Sequence, residues 1–166
     1  MRTLTNYQDN GFGFPVVIDQ VAFEESCGEE GLFINLNRLE DIVVRALPDR
    51  RIRLTGSEVR FIRLHFQMRL AEFGKHLGVS HVAVKKWEQK GSQPTGMQWA
   101  AEKNLRLFVL RRLGCSNDDL AGLFDRLELA RPPGHEALRI SIAPINSDES
   151  RPHRMRIHLA ESAVRP

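Results

Sequence analysis

At 166 residues, with 42% hydrophobic and 27% charged side chains, the chain can build one substantial core or two small ones; no run nears the roughly 18 apolar residues of a membrane span, and no apolar signal core opens it, so a soluble cytoplasmic protein is expected. Its two cysteines, Cys27 and Cys115, stand far apart and outside any Cys-x-x-Cys pair, which argues against a disulfide framework and against a structural zinc site. The net charge of +3 is unevenly spread: residues 1–50 hold 4 basic and 9 acidic side chains (−5), residues 51–113 hold 13 and 4 (+9), and residues 114–166 hold 7 and 8 (−1).

Residues 1–35 read as strands and turns. Phe14-Pro-Val-Val-Ile18 is a β-branched run opened by Gly-Phe-Gly, with Gln20-Val-Ala-Phe23 its continuation or partner. Leu32-Phe-Ile34 is a third short run after a polar turn. Leu36, Leu39, Ile42, Val43 and Leu47 then recur at helical spacing, and Pro48 ends that helix. Residues 48–54 are a basic connector, taken as the domain boundary.

Thr55-Gly-Ser-Glu58 has the form of a capping box, in which Thr55 and Glu58 satisfy each other's orphan amides. The helix it opens runs to about Phe66, with Val59, Ile62 and Phe66 on one side. Leu70, Phe73 and Leu77 mark a second helix, which Gly78 stops by taking a left-handed conformation. Ser80 caps a third, whose Val84 and Trp87 point inward. Gly74 falls where these two helices cross, and a larger side chain would push them apart. Two short helices joined by such a tight turn form a helix-turn-helix, the element that reads DNA. A basic face is often only a solvated one, but its coincidence with this motif favours a phosphate-facing surface.

Gly91-Ser-Gln-Pro-Thr95 is a turn, with Thr95 expected to cap a helix through Leu113 whose inward face is Trp99, Leu105, Phe108 and Val109 and which Gly114 closes. Asn117-Asp-Asp is expected to cap a last helix carrying Leu120, Leu123, Phe124 and Leu127. After Pro132-Pro133 the period changes. Leu138, Ile140 and Ile142 alternate with polar residues, as do Met155, Ile157 and Leu159, giving a β-hairpin too small to stand alone. It must pack on the N-terminal strands or on a second subunit.

Over residues 54–113 the chain resembles the lambda-repressor-like, Xre-type DNA-binding domains. The carrying residues are Glu72-Phe73, Gly74, Gly78-Val-Ser80 and Val84-x-x-Trp-Glu88. Leu54-Thr-Gly-Ser-Glu-Val-Arg60 further resembles the opening of MqsA-type antitoxins, which place a small β-containing domain before the motif. Their zinc-binding Cys-x-x-Cys pairs are missing here, so no metal carries over, and no cofactor is expected. The fold expected is α+β: a small β/α domain for dimerisation or partner binding over residues 1–50, a five-helix DNA-binding domain over 51–130, and a C-terminal β-hairpin over 131–166.

The resemblance implies that the start of the recognition helix meets base edges, through Ser80, His81, Val82, Lys85 and Lys86. Lys86 can donate to guanine O6 and N7, His81 can donate or accept, and Val82 can lie against a thymine methyl. Arg69 stands where the family more often has Ser, Thr or Asn at a phosphate, so a cap is lost and a cation gained. Lys90 and Gln93 are further phosphate candidates; Arg53 and Arg60 face either phosphate or solvent. By resemblance Arg63 and Glu88 form a partly buried ion pair that holds the recognition helix, and Trp87 is core.

The partners these readings imply are double-stranded DNA with an inverted-repeat operator, a second copy of the chain, and, for an antitoxin, a toxin bound by the acidic N-terminal domain. Without a toxin, a stand-alone regulator with a ligand- or protein-sensing N-terminal domain is the alternative. Six histidines supply no metal-ligand spacing beside a carboxylate, and there is no phosphate loop, nucleophile elbow or Cys/His pairing, so no enzyme is expected.

Overall fold

The computed structural model describes residues 2–26, 29–32, 35–128 and 138–140, and among them places six α-helices and one small sheet in an α+β arrangement. Strand β1 (Arg2–Asp9) pairs antiparallel with β2 (Val16–Ser26) over their length, from Arg2 opposite Phe23 to Asp9 opposite Val16. The two runs expected at 14–18 and 20–23 are therefore one strand, and their partner is a segment too polar to read as a strand, with Thr3, Thr5, Asn6 and Gln8 exposed. The other edge of β2 is shared by β3 (Glu29–Leu32), antiparallel near Phe23, and β4 (Leu138–Ile140), parallel to Val16–Ile18. Leu138 and Ile140 are buried there against the sheet. Of the two packing options for this strand, the N-terminal sheet is the one realised; its expected hairpin partner at 155–159 lies outside the described residues.

Helix α1 (Leu36–Ala46) is capped by Asn35, whose side chain accepts from the Arg38 amide, and it gives way to a 3₁₀ turn at Leu47–Asp49. Helix α2 (Gly56–His65) opens on the expected capping box: Thr55 Oγ1 accepts from the Glu58 amide, and Glu58 Oε2 accepts from the Thr55 amide at 2.8 Å. Helices α3 (Leu70–Leu77) and α4 (His81–Glu88) form the motif. Helix α5 (Trp99–Arg112) is capped at Gln98 and so starts three residues later than expected. Thr95 is buried and its hydroxyl accepts from the Met97 amide, while Gly96, at φ +70°, breaks the path between Thr95 and the helix. Helix α6 (Asn117–Glu128) is capped by Ser116 rather than Asn117, in a reciprocal pair with Asp119.

One apolar cluster runs from Val16, Ile18 and Val21 of the sheet through Leu39 and Val43 of α1 to Val59, Ile62, Phe73, Val84, Leu105 and Val109 of the motif and its supports. Leu123 and Leu127 of α6 make a smaller cluster with Leu110. The α6 stripe differs from expectation in Phe124, which is 46% exposed. On α5, Leu105 and Val109 are buried and Trp99 and Phe108 pack half-buried against the apolar clusters, so the inward face is as expected, but the buried Glu102 and Arg106 share it.

That charged pair organises the connector. Arg106 is wholly buried and donates to the carbonyls of Pro48 (3.1 Å), Arg50 and Ile52 (2.6 Å) and to Glu102 (2.7 Å). Glu102 in turn accepts from the Leu54 amide at 3.0 Å and from Arg53 at 2.5 Å. Burial draws the Arg106 pKa down and Glu102 opposes it; an arginine so paired stays charged. Residues 48–54 are therefore not a loose linker but a strap bound at alternate carbonyls.

Candidate nucleic-acid interface

The turn of the motif follows its local chemistry. Gly78 sits at φ +70° as the C-cap of α3, and Ser80 Oγ accepts from the Ala83 amide at 3.2 Å to start α4. A methyl group on Gly74 would come within 2.7 Å of the Val79 carbonyl, so glycine is what lets the turn close over α3. Arg69 is the N-cap of α3 with extended backbone and no side-chain cap bond, so the predicted loss of a cap is real and its guanidinium is free to face outward.

A second close approach escaped the sequence reading. A Cβ on Gly56 would lie 2.8 Å from the Gly91 amide nitrogen and closer still to the Trp87 carbonyl, which fits the first turn of α2 tightly against the end of α4. The free amides of that turn are used: Gly56 donates to the Gln93 carbonyl at 3.1 Å and Ser57 to Gly91 at 2.8 Å. The loop carrying Lys90 and Gln93 is thereby pinned while both side chains stay exposed.

Arg63 fixes α4 from the other side. Its Nε and Nη2 donate to the two Glu88 oxygens at 2.6 and 2.9 Å, and its Nη1 donates to the Met68 carbonyl at 2.8 Å. Both side chains are nearly buried, at 12% and 11% exposed. The Glu88 hydrogen bond raises the Arg63 pKa against the opposing effect of burial, so the brace keeps its cation at any working pH. Val84 is buried and Trp87 half-buried on the core, as expected.

What remains on the outside of α4 is Ser80, His81, Val82, Lys85 and Lys86, all exposed, with Val82 at 47%. Among the described residues the side chains of Arg69, His81, Lys85, Lys86, Lys90 and Gln93 make no hydrogen bond or ion pair. The Ser80 hydroxyl, used as an acceptor by its own helix, keeps a proton to donate. Of the four acidic residues in 51–113, Glu58, Glu88 and Glu102 face inward onto arginines and only Glu72 is exposed, so these cations are not offset at the surface. Arg53 leaves the candidate list: it is bound to Glu102 and its guanidinium lies 5.2 Å over the Trp99 ring. Arg60 is exposed, beside the β1–β2 turn.

A rigid helix carrying such donors fits a groove lined with base edges and phosphates. Among the described residues no group of His, Cys, Asp and Glu is placed to hold a metal ion, and no helix is long and apolar enough to cross a membrane. No family model matches the chain, and no solved structure matches it. Among curated proteins, 67 residues, 40% of this chain, are 37% identical to the repressor protein C2 of Salmonella phage P22, a match that spans 28% of that repressor's length. Over two-fifths of its length, then, the chain is similar to part of a phage repressor.

Proposed function

We propose that this protein is a sequence-specific DNA-binding regulator that represses transcription. The observation that carries this reading is the unpartnered outward face of α4, held in place by the Arg63–Glu88 pair. In this reading Ser80, His81, Val82 and Lys86 meet base edges, with Lys85 at either a base or a phosphate. Arg69, Lys90 and Gln93 hold the phosphate backbone on both sides of the helix. The similarity to a phage repressor supports the same assignment. One motif covers too little DNA to select a site in a genome, so the protein acts as a homodimer on an inverted repeat. A gel-shift titration and footprint on the DNA upstream of its own gene test this: a protected inverted repeat is expected, and equal affinity for that DNA and for random DNA of the same length overturns it.

We further propose that residues 1–50 serve for dimerisation or partner binding, and that the partner is a toxin with a basic surface. The net −5 of that segment supports complementarity of this kind. Co-expression with the product of an adjacent gene tests it: relief of growth arrest by the full chain, and loss of that relief without residues 1–50, are expected. If no neighbouring product arrests growth, the protein is a stand-alone regulator.

A further inference from the structure

A cavity of about 440 Å³ opens where the β1–β2 turn, α1 and α2 meet. Part of its lining is apolar, with His65 beside Phe61. Phe61 packs edge-on to both Phe12 and Phe14, at 5.4 and 5.5 Å between ring centroids, and Leu64 beside it is 52% exposed. Its rim carries opposite charges on different helices: Glu40 on α1, and Arg60 on α2 with the Ser57 hydroxyl three residues before it. Both charged side chains are exposed, and among the described residues neither makes a hydrogen bond or ion pair. Two opposite charges on one cavity that do not neutralise each other leave a recognition pattern unfilled.

We infer that this cavity binds a free α-amino acid with a large apolar side chain, its carboxylate on Arg60 and Ser57, its ammonium on Glu40 and its side chain on Phe12, Phe61 and Leu64. Charge selects this class over its neighbours. A simple anion meets Glu40 and a simple cation meets Arg60, each a like charge at the rim, while a zwitterion satisfies both. Arginine holds a carboxylate through paired N–H donors, and the cavity volume falls within the range of small-molecule sites, about 300–1,000 Å³. A ligand so placed touches three elements together, fastening the turn and α1 onto the helix that carries Arg63.

Calorimetric titration of the full chain, without DNA, is the test. L-phenylalanine or L-leucine is expected to saturate the site, and glycine to bind at least about tenfold more weakly. Phenylalanine methyl ester, lacking the carboxylate, is expected to lose about tenfold on the native protein and nothing further on Arg60→Met. N-acetylphenylalanine is expected to behave in the same way with Glu40→Gln. Both substitutions fall on exposed side chains outside the core. No saturable heat from either amino acid at about 10 mM, glycine binding as tightly as the others, or affinity unchanged in both variants overturns the inference. Because no DNA enters the measurement, either result leaves the reading of α4 standing, and a failure of DNA binding leaves this site standing.

Discussion

Arg63 and Glu88 stand 25 residues apart, on the first helix of the basic region and the last turn of α4, yet two guanidinium nitrogens of one meet both carboxylate oxygens of the other. The third guanidinium nitrogen, Nη1, holds the Met68 carbonyl at the turn into α3. One side chain thus ties together α2, the entry to α3 and the exit of α4. Removing one partner of a buried pair costs about 3–5 kcal/mol, and slight exposure here places Glu88→Ala at about 2–3 kcal/mol. Urea unfolding is expected to show a lower midpoint at an unchanged slope, and specific DNA binding is expected to weaken although Glu88 faces Arg63 and not the outer side of α4. Replacing both residues with apolar ones is expected to recover stability beyond additivity.

Gly56→Ala tests the contact between α2 and the loop after α4. The added methyl meets backbone atoms, which cannot swing aside, so a loss of at least about 1–3 kcal/mol is expected, read as a lower Tm. Alanine is ordinarily the better helix residue, and a variant as stable as the native protein would refute the close approach.

Lys86→Ala is expected to weaken operator binding by about 1–3 kcal/mol and to relax the preference at a single base pair. Affinities on a set of operators mutated one position at a time distinguish this from a phosphate contact, where every sequence weakens alike.

Arg69→Ala is expected to lower affinity on specific and random DNA together, and to reduce the slope of log K against log salt by about one. An unaltered slope removes Arg69 from the interface.

Arg106→Met leaves the carbonyls of Pro48, Arg50 and Ile52 without their donor inside the protein. A loss of about 3–5 kcal/mol is expected in chemical unfolding, and amide exchange across residues 48–54 is expected to accelerate.

The motif was legible because its signals are local. Gly78, Ser80 and the Thr55–Glu58 box each act within four residues, and helical spacing alone marks Phe73, Leu77 and Val84 as core. Resemblance, not spacing, gave the Arg63–Glu88 pair. The parts that were missed depend on distant or competing neighbours. Strand β4 was expected, but its parallel pairing with β2 across some 120 residues of chain was not, and β1 hides behind exposed Thr3, Thr5 and Gln8. Thr95 and Asn117 are good cap residues, but Gly96 turns the chain after the one, and Ser116 stands before the other with Asp119 to answer it. Glu102 and Arg106 did carry a signal. They lie four apart on the stripe of Leu105 and Val109, where opposite charges on an apolar face mark a buried pair with remote partners.

Arg106 also limits how this protein can be taken apart. A cut at residue 50, where charge and composition both change, separates the arginine from the carbonyls of Pro48 and Arg50 and leaves it only the Ile52 carbonyl and Glu102 in the fragment that keeps it. Grafting the basic region onto another protein therefore requires carrying the connector with it. In a chimaera the portable unit begins before Pro48, and the residues that look like a seam travel with the helices they are bonded to.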